Sequence, residues 1–312
     1  MKSIKNLLIL FSLFCLFLVS GCETKTESKE IKIAEQYGLA YAPLQIMKEK
    51  NFLNEALPDV TITWKKVANT VATREAMLSD NLDVGFIGIP PFLIGYDQEM
   101  PWKIMTGLSQ SPLGLVTNDE NIKTLSDLVE NGKIALPQPG SIQHILLAMA
   151  ADKELGQSDI FDNQLVAMKH PDGMQALISG NEVKAHFTSP PYLFQELDIK
   201  ENHLVVSGDD AMSEGFTFIV GVCTEKFNKN QSYYEAVNKA IIKSIEFINT
   251  EKEETIDILS KAYKLDKAVV EDYIYNRGMQ YNTEIKGIES FIDFMHKEKY
   301  LNKKVEVDDV LW

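Results

Sequence analysis

Short apolar runs alternate with helical patterns along most of the chain. Ile31 to Glu35, Val60 to Trp64, Val84 to Ile87 and Lys103 to Thr106 have the length and composition of strands, and Leu44 to Lys50 and Val71 to Ser79 between them read as helices. A second series starts at Gly114 to Val116. A helix opened by Thr124, with Asp127 three residues on as a capping-box variant, precedes a strand at Ile134 to Leu136. Ile142, Ile145, Leu146 and Met149 then share one face of a helix that runs to Leu155. This alternation predicts an α/β protein.

After Gly215 the pattern changes. A strand-like run, Phe216 to Val222, leads into a helical tail that a capping box at Ser232 and Glu235 would start, with Val237, Ile241, Ile245 and Ile248 on one face. Further amphipathic stretches cover Ile256 to Tyr263, Val269 to Tyr275 and Ile288 to His296. The strand at Phe216 lacks a lobe of its own, so the chain is expected to cross back to the first lobe, with crossings near 111–114 and 213–215.

An ungapped repeat supports two matched lobes. Ala76-Met-Leu-Ser79-Asp-Asn81 parallels Ala176-Leu-Ile-Ser179-Gly-Asn181, and Pro90-Pro91-Phe92-Leu93 parallels Pro190-Pro191-Tyr192-Leu193, each pair one hundred positions apart. Proline suits the first turn of a helix, where its missing N–H has no intrahelical acceptor to lose.

The N-terminus is an address. Lys2 and Lys5 precede a nearly pure apolar stretch, Leu7 to Leu18, and Val19-Ser20-Gly21-Cys22 supplies small residues before a cysteine. That is a secretory signal, and twelve residues at ~1.5 Å each are too short for a ~30 Å hydrocarbon core. The four residues ending at Cys22 also resemble the lipobox of bacterial lipoproteins, which implies cleavage after residue 21, lipidation of Cys22 and a place on the extracytoplasmic face of the cell membrane. The polar residues 22–30 read as a tether.

Acidic residues outnumber basic ones 45 to 31, for a formal charge of -14, and the only arginines are Arg74 and Arg277. No nucleic-acid partner is expected from such a balance. Outside the leader and Cys22 the sole cysteine is Cys223, so neither a disulfide framework nor a cysteine metal knuckle can form. No phosphate loop, dinucleotide fingerprint or nucleophile elbow is present.

Ligands of α/β sheets bind beyond the carboxyl ends of strands, and a cleft between two lobes collects those ends from both. This selects Gln36-Tyr37-Gly38, Asn69-Thr70 and Gly88-Ile89-Pro90-Pro91 from the first lobe, and Pro137 to Ser141, His170-Pro171-Asp172 and Thr188-Ser189-Pro190 from the second. Gly140 and Ser141, just before a helix, either hold an oxyanion on exposed N–H groups or merely cap that helix. Tyr37, Phe92 and Tyr192 either enclose a ligand or pack as core. His144, His170 and His186 fall in or near the cleft and are the acid–base candidates for an enzyme, but none has metal-motif spacing.

The order Ile31-Lys-Ile-Ala-Glu-Gln-Tyr-Gly38, Leu82-Asp-Val-Gly-Phe-Ile-Gly-Ile-Pro90, Lys123-Thr-Leu-Ser-Asp-Leu128, Ile134-Ala-Leu-Pro-Gln-Pro-Gly-Ser141 and Leu177-Ile-Ser-Gly180 resembles the substrate-binding proteins of ABC importers, closest to the sulfonate, nitrate and taurine binders and their thiamine-pyrimidine-precursor relatives. The resemblance runs to Phe291-Ile-Asp-Phe-Met295 and Asp308-Asp-Val-Leu-Trp312. It departs at Lys184, where Asp is common, and at Asn81, where Gly is expected. It implies a type II periplasmic-binding-protein fold: lobe 1 over 31–112 and 214–312, lobe 2 over 113–213, and a two-stranded hinge. It further implies a monomer that takes no cofactor, is not an enzyme, and hands a small solute to ABC permease subunits. The binding role passes to Gln36, Tyr37, Gly88, Ile89, Pro90, Gly140, Ser141, Thr188, Ser189 and Tyr192. The alternative is an enzyme on the same scaffold, a lyase or pyrimidine-synthesising relative that uses the cleft histidines.

Overall fold

The computed structural model describes residues 29–67 and 69–312. The signal, Cys22 and most of the tether therefore lie outside the described residues. Among those described, no helix is long and apolar enough to cross a membrane.

Ten strands form two five-stranded sheets. The first contains β1 (Glu30–Glu35), β2 (Thr61–Lys66), β3 (Val84–Gly88), β4 (Trp102–Ser109) and β10 (Ile219–Thr224), and the second β5 (Gly114–Thr117), β6 (Lys133–Leu136), β7 (Leu165–Ala167), β8 (Val183–Thr188) and β9 (His203–Ser207). Their orders, β2-β1-β3-β10-β4 and β7-β6-β8-β5-β9, are the same design used twice. In each, three strands run parallel, and the fourth (β10, β5) is antiparallel to both neighbours. The hundred-residue repeat maps onto this correspondence. Its first half ends helix α2 (Thr70–Leu78) and follows β3; its second ends α5 (His170–Ser179) and follows β8.

Burial explains the strand pattern. Every residue of β3 is buried, as expected for a central strand covered by helices on both faces. Helices α1 (Ala42–Glu49), α3 (Ile89–Asp97), α4 (Ile142–Leu155) and α6 (Tyr192–Leu197) complete the two layers. Gly95 in α3 makes room for Trp102, whose ring would lie 2.3 Å from an added Cβ. The tail α7 (Gln231–Thr250) buries Val237, Ala240, Ile241, Ser244, Ile245 and Ile248 and packs on α1, as its apolar spacing predicts.

Three sequence expectations shift. The strand expected from Phe216 begins at Ile219, because Phe216 and Phe218 are buried side chains of the crossing rather than ladder residues. Ser232 does not cap α7: the helix starts at Gln231, two residues earlier than that cap implies, and the Asn230 side chain accepts from the N–H of Tyr233. The Val269 to Tyr275 stretch is a short helix, Lys267–Glu271, continued by a wider π turn at Asp272–Asn276.

The chain passes between sheets through residues 110–113 and again through 208–218. These segments are tied together: the N–H of Phe218 donates to the Ser109 carbonyl at 2.9 Å, and that of Gly208 to the Leu113 carbonyl at 2.8 Å. Gln110 also exchanges backbone bonds of 2.9 Å in both directions with Gln280. Helices α8 (Lys252–Tyr263) and α9 (Ile288–Lys297) follow the return crossing, and the end of α9 reaches the second sheet's layer, where Lys297 pairs with Asp152 of α4 at 2.8 Å.

Candidate functional site

A cavity of about 400 Å³ opens where the carboxyl ends of the parallel strands from both sheets converge. Four helices that each follow a sheet strand start at its wall: α2 after Asn69, α3 after Gly88, α4 after Ser141 and α5 after Lys169. First-turn N–H groups lack intrahelical acceptors, but Pro90 and Pro91 in α3 and Pro171 in α5 carry none, so the open donors come chiefly from α2 and α4. The positive dipole ends of all four helices favour partial negative charge on whatever enters the space.

Of the residues singled out in the sequence, Gln36, Tyr37, Gly88, Ser141, Ser189 and Tyr192 line the cavity. Ile89, Pro90 and Thr188 are buried and do not line it, and Gly140, partly exposed, does not line it either. Ile89 is buried in the α3 packing, and Thr188 holds a histidine described below. The oxyanion reading of the Gly140–Ser141 turn needs correction in its donors. The Gly140 N–H donates to Nδ1 of His144 at 3.0 Å, the Ser141 N–H to the Gln138 carbonyl at 3.1 Å, and the Ser141 hydroxyl accepts from the His144 N–H at 3.3 Å. Ser141 is thus the cap of α4. The backbone donors left without an intrahelical acceptor belong to Ile142 and Gln143, one step further on, and both residues line the cavity.

One side of the space is aromatic. Tyr37, 57% exposed, tilts against Tyr192 at 6.3 Å between ring centroids and meets Tyr263 edge-on at 5.6 Å. Tyr192 in turn stacks on His170 at 5.9 Å and 23°. Burial pushes the Tyr192 hydroxyl up to about 12, aided by the neighbouring Tyr37 and Asp172, so it keeps its proton. Lys169, at the head of α5, is the one lysine of the lining, and no arginine lies there.

The three histidines separate. His144 faces away, with Nε2 3.2 Å from Asp162 and its ring edge-on to Tyr300. His170 lines the cavity, whereas His186 is fully buried behind it. Nδ1 of His170 lies 3.4 Å from Nε2 of His186 and 3.0 Å from the Thr188 hydroxyl; Nδ1 of His186 lies 2.6 Å from Oε1 of Glu196, itself fully buried. Burial pushes both imidazoles down to about 3, for His170 with help from His186, and pushes the Glu196 carboxyl up to about 8. Gln143 and Glu196 were missed in the sequence: the first lies inside a helix, and the second meets its partner only through folding. Among the described residues, no group of three or more histidine, cysteine, aspartate or glutamate side chains is arranged to hold a metal ion.

No protein-family model matches the chain, and no curated protein does. Solved structures do. The aliphatic sulphonate binding protein SsuA of Escherichia coli superposes with a TM-score of 0.73 at 21% identity, over 91% of this chain and 97% of that one. The alkanesulfonate-binding SsuA of Xanthomonas axonopodis, bound to MOPS, gives 0.76 at 19%, over 92% and 99%. The nitrate-binding protein NrtA of Synechocystis gives 0.73 at 18%, over 91% and 86%. With the doubled five-stranded topology and the cavity between its halves, these likenesses establish that the chain has the periplasmic-binding-protein fold.

Proposed function

We propose that this protein is the substrate-binding component of an ABC importer, anchored outside the cytoplasmic membrane through lipidated Cys22. It captures a small polar organic solute, of alkanesulfonate, taurine or nitrate type or a pyrimidine-type vitamin precursor, and delivers it to the permease. The observation that carries this reading is the cavity of about 400 Å³ walled from both sheets, in a fold shared with proteins named for sulfonate and nitrate binding. Residues 31–112 with 214–312 form one lobe and 113–213 the other, pivoting on the paired crossings. A solute that touches Tyr37 and Gly88 on one side and Gln143 and Tyr192 on the other binds the closed form better, and closure follows from that difference in affinity.

Four converging helix N-termini, Lys169 and the absence of any carboxylate from the lining support a ligand rich in oxygen acceptors. The aromatic side of Tyr37 and Tyr192 supports a flat or apolar body attached to it. Thermal shift and calorimetry against alkanesulfonates, taurine, nitrate and aminopyrimidines, with small-angle scattering, test the reading: a binder raises the melting temperature and compacts the protein. Neither effect with any of these solutes refutes it. An enzyme using cleft histidines would have His170 alone in the wall, and turnover of a bound solute that disappears in His170→Asn would establish it instead.

A further inference from the structure

We propose that Glu196, His186 and His170 form a buried proton relay that sets whether His170 presents Nε2 to the cavity as a hydrogen-bond donor or as an acceptor. The inference rests on the solute-binding reading for its purpose, though not for its geometry.

The three groups make an unbroken line from the interior to the cavity wall. Oε1 of Glu196 is 2.6 Å from Nδ1 of His186, and Nε2 of that ring is 3.4 Å from Nδ1 of His170. The far oxygen, Oε2 of Glu196, is buried without a hydrogen-bond partner. A carboxylate so placed would leave charge uncompensated in an apolar setting; a carboxylic acid that donates from Oε1 leaves only a neutral carbonyl oxygen there. The acid form then fixes both tautomers. Glu196 donates to Nδ1 of His186, so His186 carries its proton on Nε2 and donates to Nδ1 of His170, and His170 carries its proton on Nε2. The Thr188 hydroxyl, 3.0 Å from His170 Nδ1, shares that nitrogen's lone pair with His186 in this form and accepts from it in the other. At the cavity end, Nε2 of His170 has only the Ser189 hydroxyl at 3.4 Å and the Gln143 amide nitrogen at 3.5 Å, contacts at the outer limit of hydrogen bonding, and the donor form requires that amide to turn its oxygen toward the ring. It is open to a stronger partner.

Loss of one proton reverses the line. The Glu196 proton passes to Nδ1 of His186, the Nε2 proton of His186 passes to Nδ1 of His170, and the Nε2 proton of His170 leaves to solvent base in the cavity. The chain goes from neutral to one negative charge, and Nε2 becomes an acceptor. Burial holds Glu196 protonated up to about 8 and keeps both rings neutral, so the donor form prevails at neutral pH. Around the line stand Tyr192 on α6, Lys169 and Asp172 at the head of α5, Lys184 on β8, which pairs with Asp119 at 3.7 Å, and His144 on α4, which turns to Asp162. The donor form selects a solute with an accepting oxygen at this point, such as a sulfonate, nitrate or carbonyl group.

Long-range ¹H–¹⁵N spectra of the imidazoles in the ligand-free protein, from pH 6 to 10, test the relay. The expected result is His170 protonated on Nε2 at pH 7, with Nε2 losing that proton and Nδ1 gaining one in a single step near pH 8. In Glu196→Gln, whose amide donates to His186 at every pH, His170 keeps its Nε2 proton throughout. A His170 protonated on Nδ1 at pH 7 in the unsubstituted protein, which needs no variant to fold, overturns the proposal, as does an identical titration in Glu196→Gln. Calorimetry with methanesulfonate separates the two readings: affinity falls at least tenfold between pH 7 and pH 9.5 in the unsubstituted protein and under twofold in Glu196→Gln. Failure of every solute to bind, with the spectra as expected, refutes the transport reading and leaves the relay standing.

Discussion

Nη1 of Arg277 lies 2.7 Å from Oδ1 of Asp198, joining the helical tail to the segment that follows α6 in the other half of the molecule. The same guanidinium donates from Nε to Asp272 at 2.6 Å and lies over the rings of Phe194 and Tyr273, whose hydroxyl donates to Oδ2 of Asp198 at 3.1 Å. Arg277 sits in the π turn's wake, where the widened helix brings Tyr273 and Arg277 to the same side.

If the halves pivot as proposed, this clasp acts on how closely they approach. Both charges are partly solvated, so the pair is worth about 1 kcal/mol even with its aromatic support. Arg277→Gln should therefore enlarge the radius of gyration of the ligand-free protein and lower solute affinity about fivefold, a factor equivalent to about 1 kcal/mol. Scattering and calorimetry measure the two effects; unchanged values for both would show that the clasp does not influence closure.

The Glu196–His186–His170 line has a signature in stability. Glu196 titrates higher in the folded protein than its ordinary 4.5, so its contribution is complete below 4.5 and is lost as pH rises toward about 8. The histidines titrate below their ordinary 6.5, so stability falls as pH drops from 6.5 toward about 3, because the unfolded chain binds the extra protons. Between 4.5 and 6.5 two histidines outweigh one glutamate. The expected result is a maximum in the cluster's contribution near pH 6.5, with a loss of at most about 2 kcal/mol on going to pH 8. Urea denaturation of the unsubstituted protein and Glu196→Gln across pH 5 to 8.5 isolates it: the alkaline limb should be absent from the variant and so remain in the difference, while the histidine limb cancels.

The alternation of strands and helices was legible because both sheets bury one pattern twice, and the repeat ending at Asn81 and Asn181 marks matching positions. The rule that ligands meet strand carboxyl ends reached Gln36, Tyr37, Gly88, Ser141, Ser189 and Tyr192, since loops after strands are readable as such. It could not show that His144 takes up the Gly140 N–H, which displaces the free donors to Ile142 and Gln143. Nor could it pair His186 with Glu196: β8 and α6 are joined by a turn whose path decides whether residues ten apart meet. Ser232 misled because two caps, Asn230 and Ser232, compete within three positions, and the tail's packing on α1 decides which is used.

Gly173 is the structural condition for the buried histidine. An added Cβ there would lie 2.6 Å from Nε2 of His186, closer than side chains tolerate. Gly173→Ala should displace the ring and destabilise the protein by about 1–3 kcal/mol, the usual cost of overpacking, despite alanine's better helix propensity. Thermal denaturation checks it. A melting temperature at or above that of the unsubstituted protein would mean that α5 can shift without loss.

Tyr37 separates binding from folding more cleanly than any other wall residue. More than half of its surface is exposed, and its ring rests on Tyr192 and Tyr263 without entering the core. Truncation to alanine should cost no more than about 0.5 kcal/mol of stability, the range for exposed sites. If the ring covers a bound solute, the same change removes aromatic contact worth about 0.5–1.5 kcal/mol beyond its buried area, and affinity falls roughly tenfold or more. Tyr37→Phe keeps the ring and loses the hydroxyl, so it should retain most of that affinity where the contact is stacking and lose it where the contact is a hydrogen bond. Parallel calorimetry and denaturation of the two variants decide the matter: an alanine variant that binds as tightly as the unsubstituted protein places the solute away from the Tyr37–Tyr192 wall.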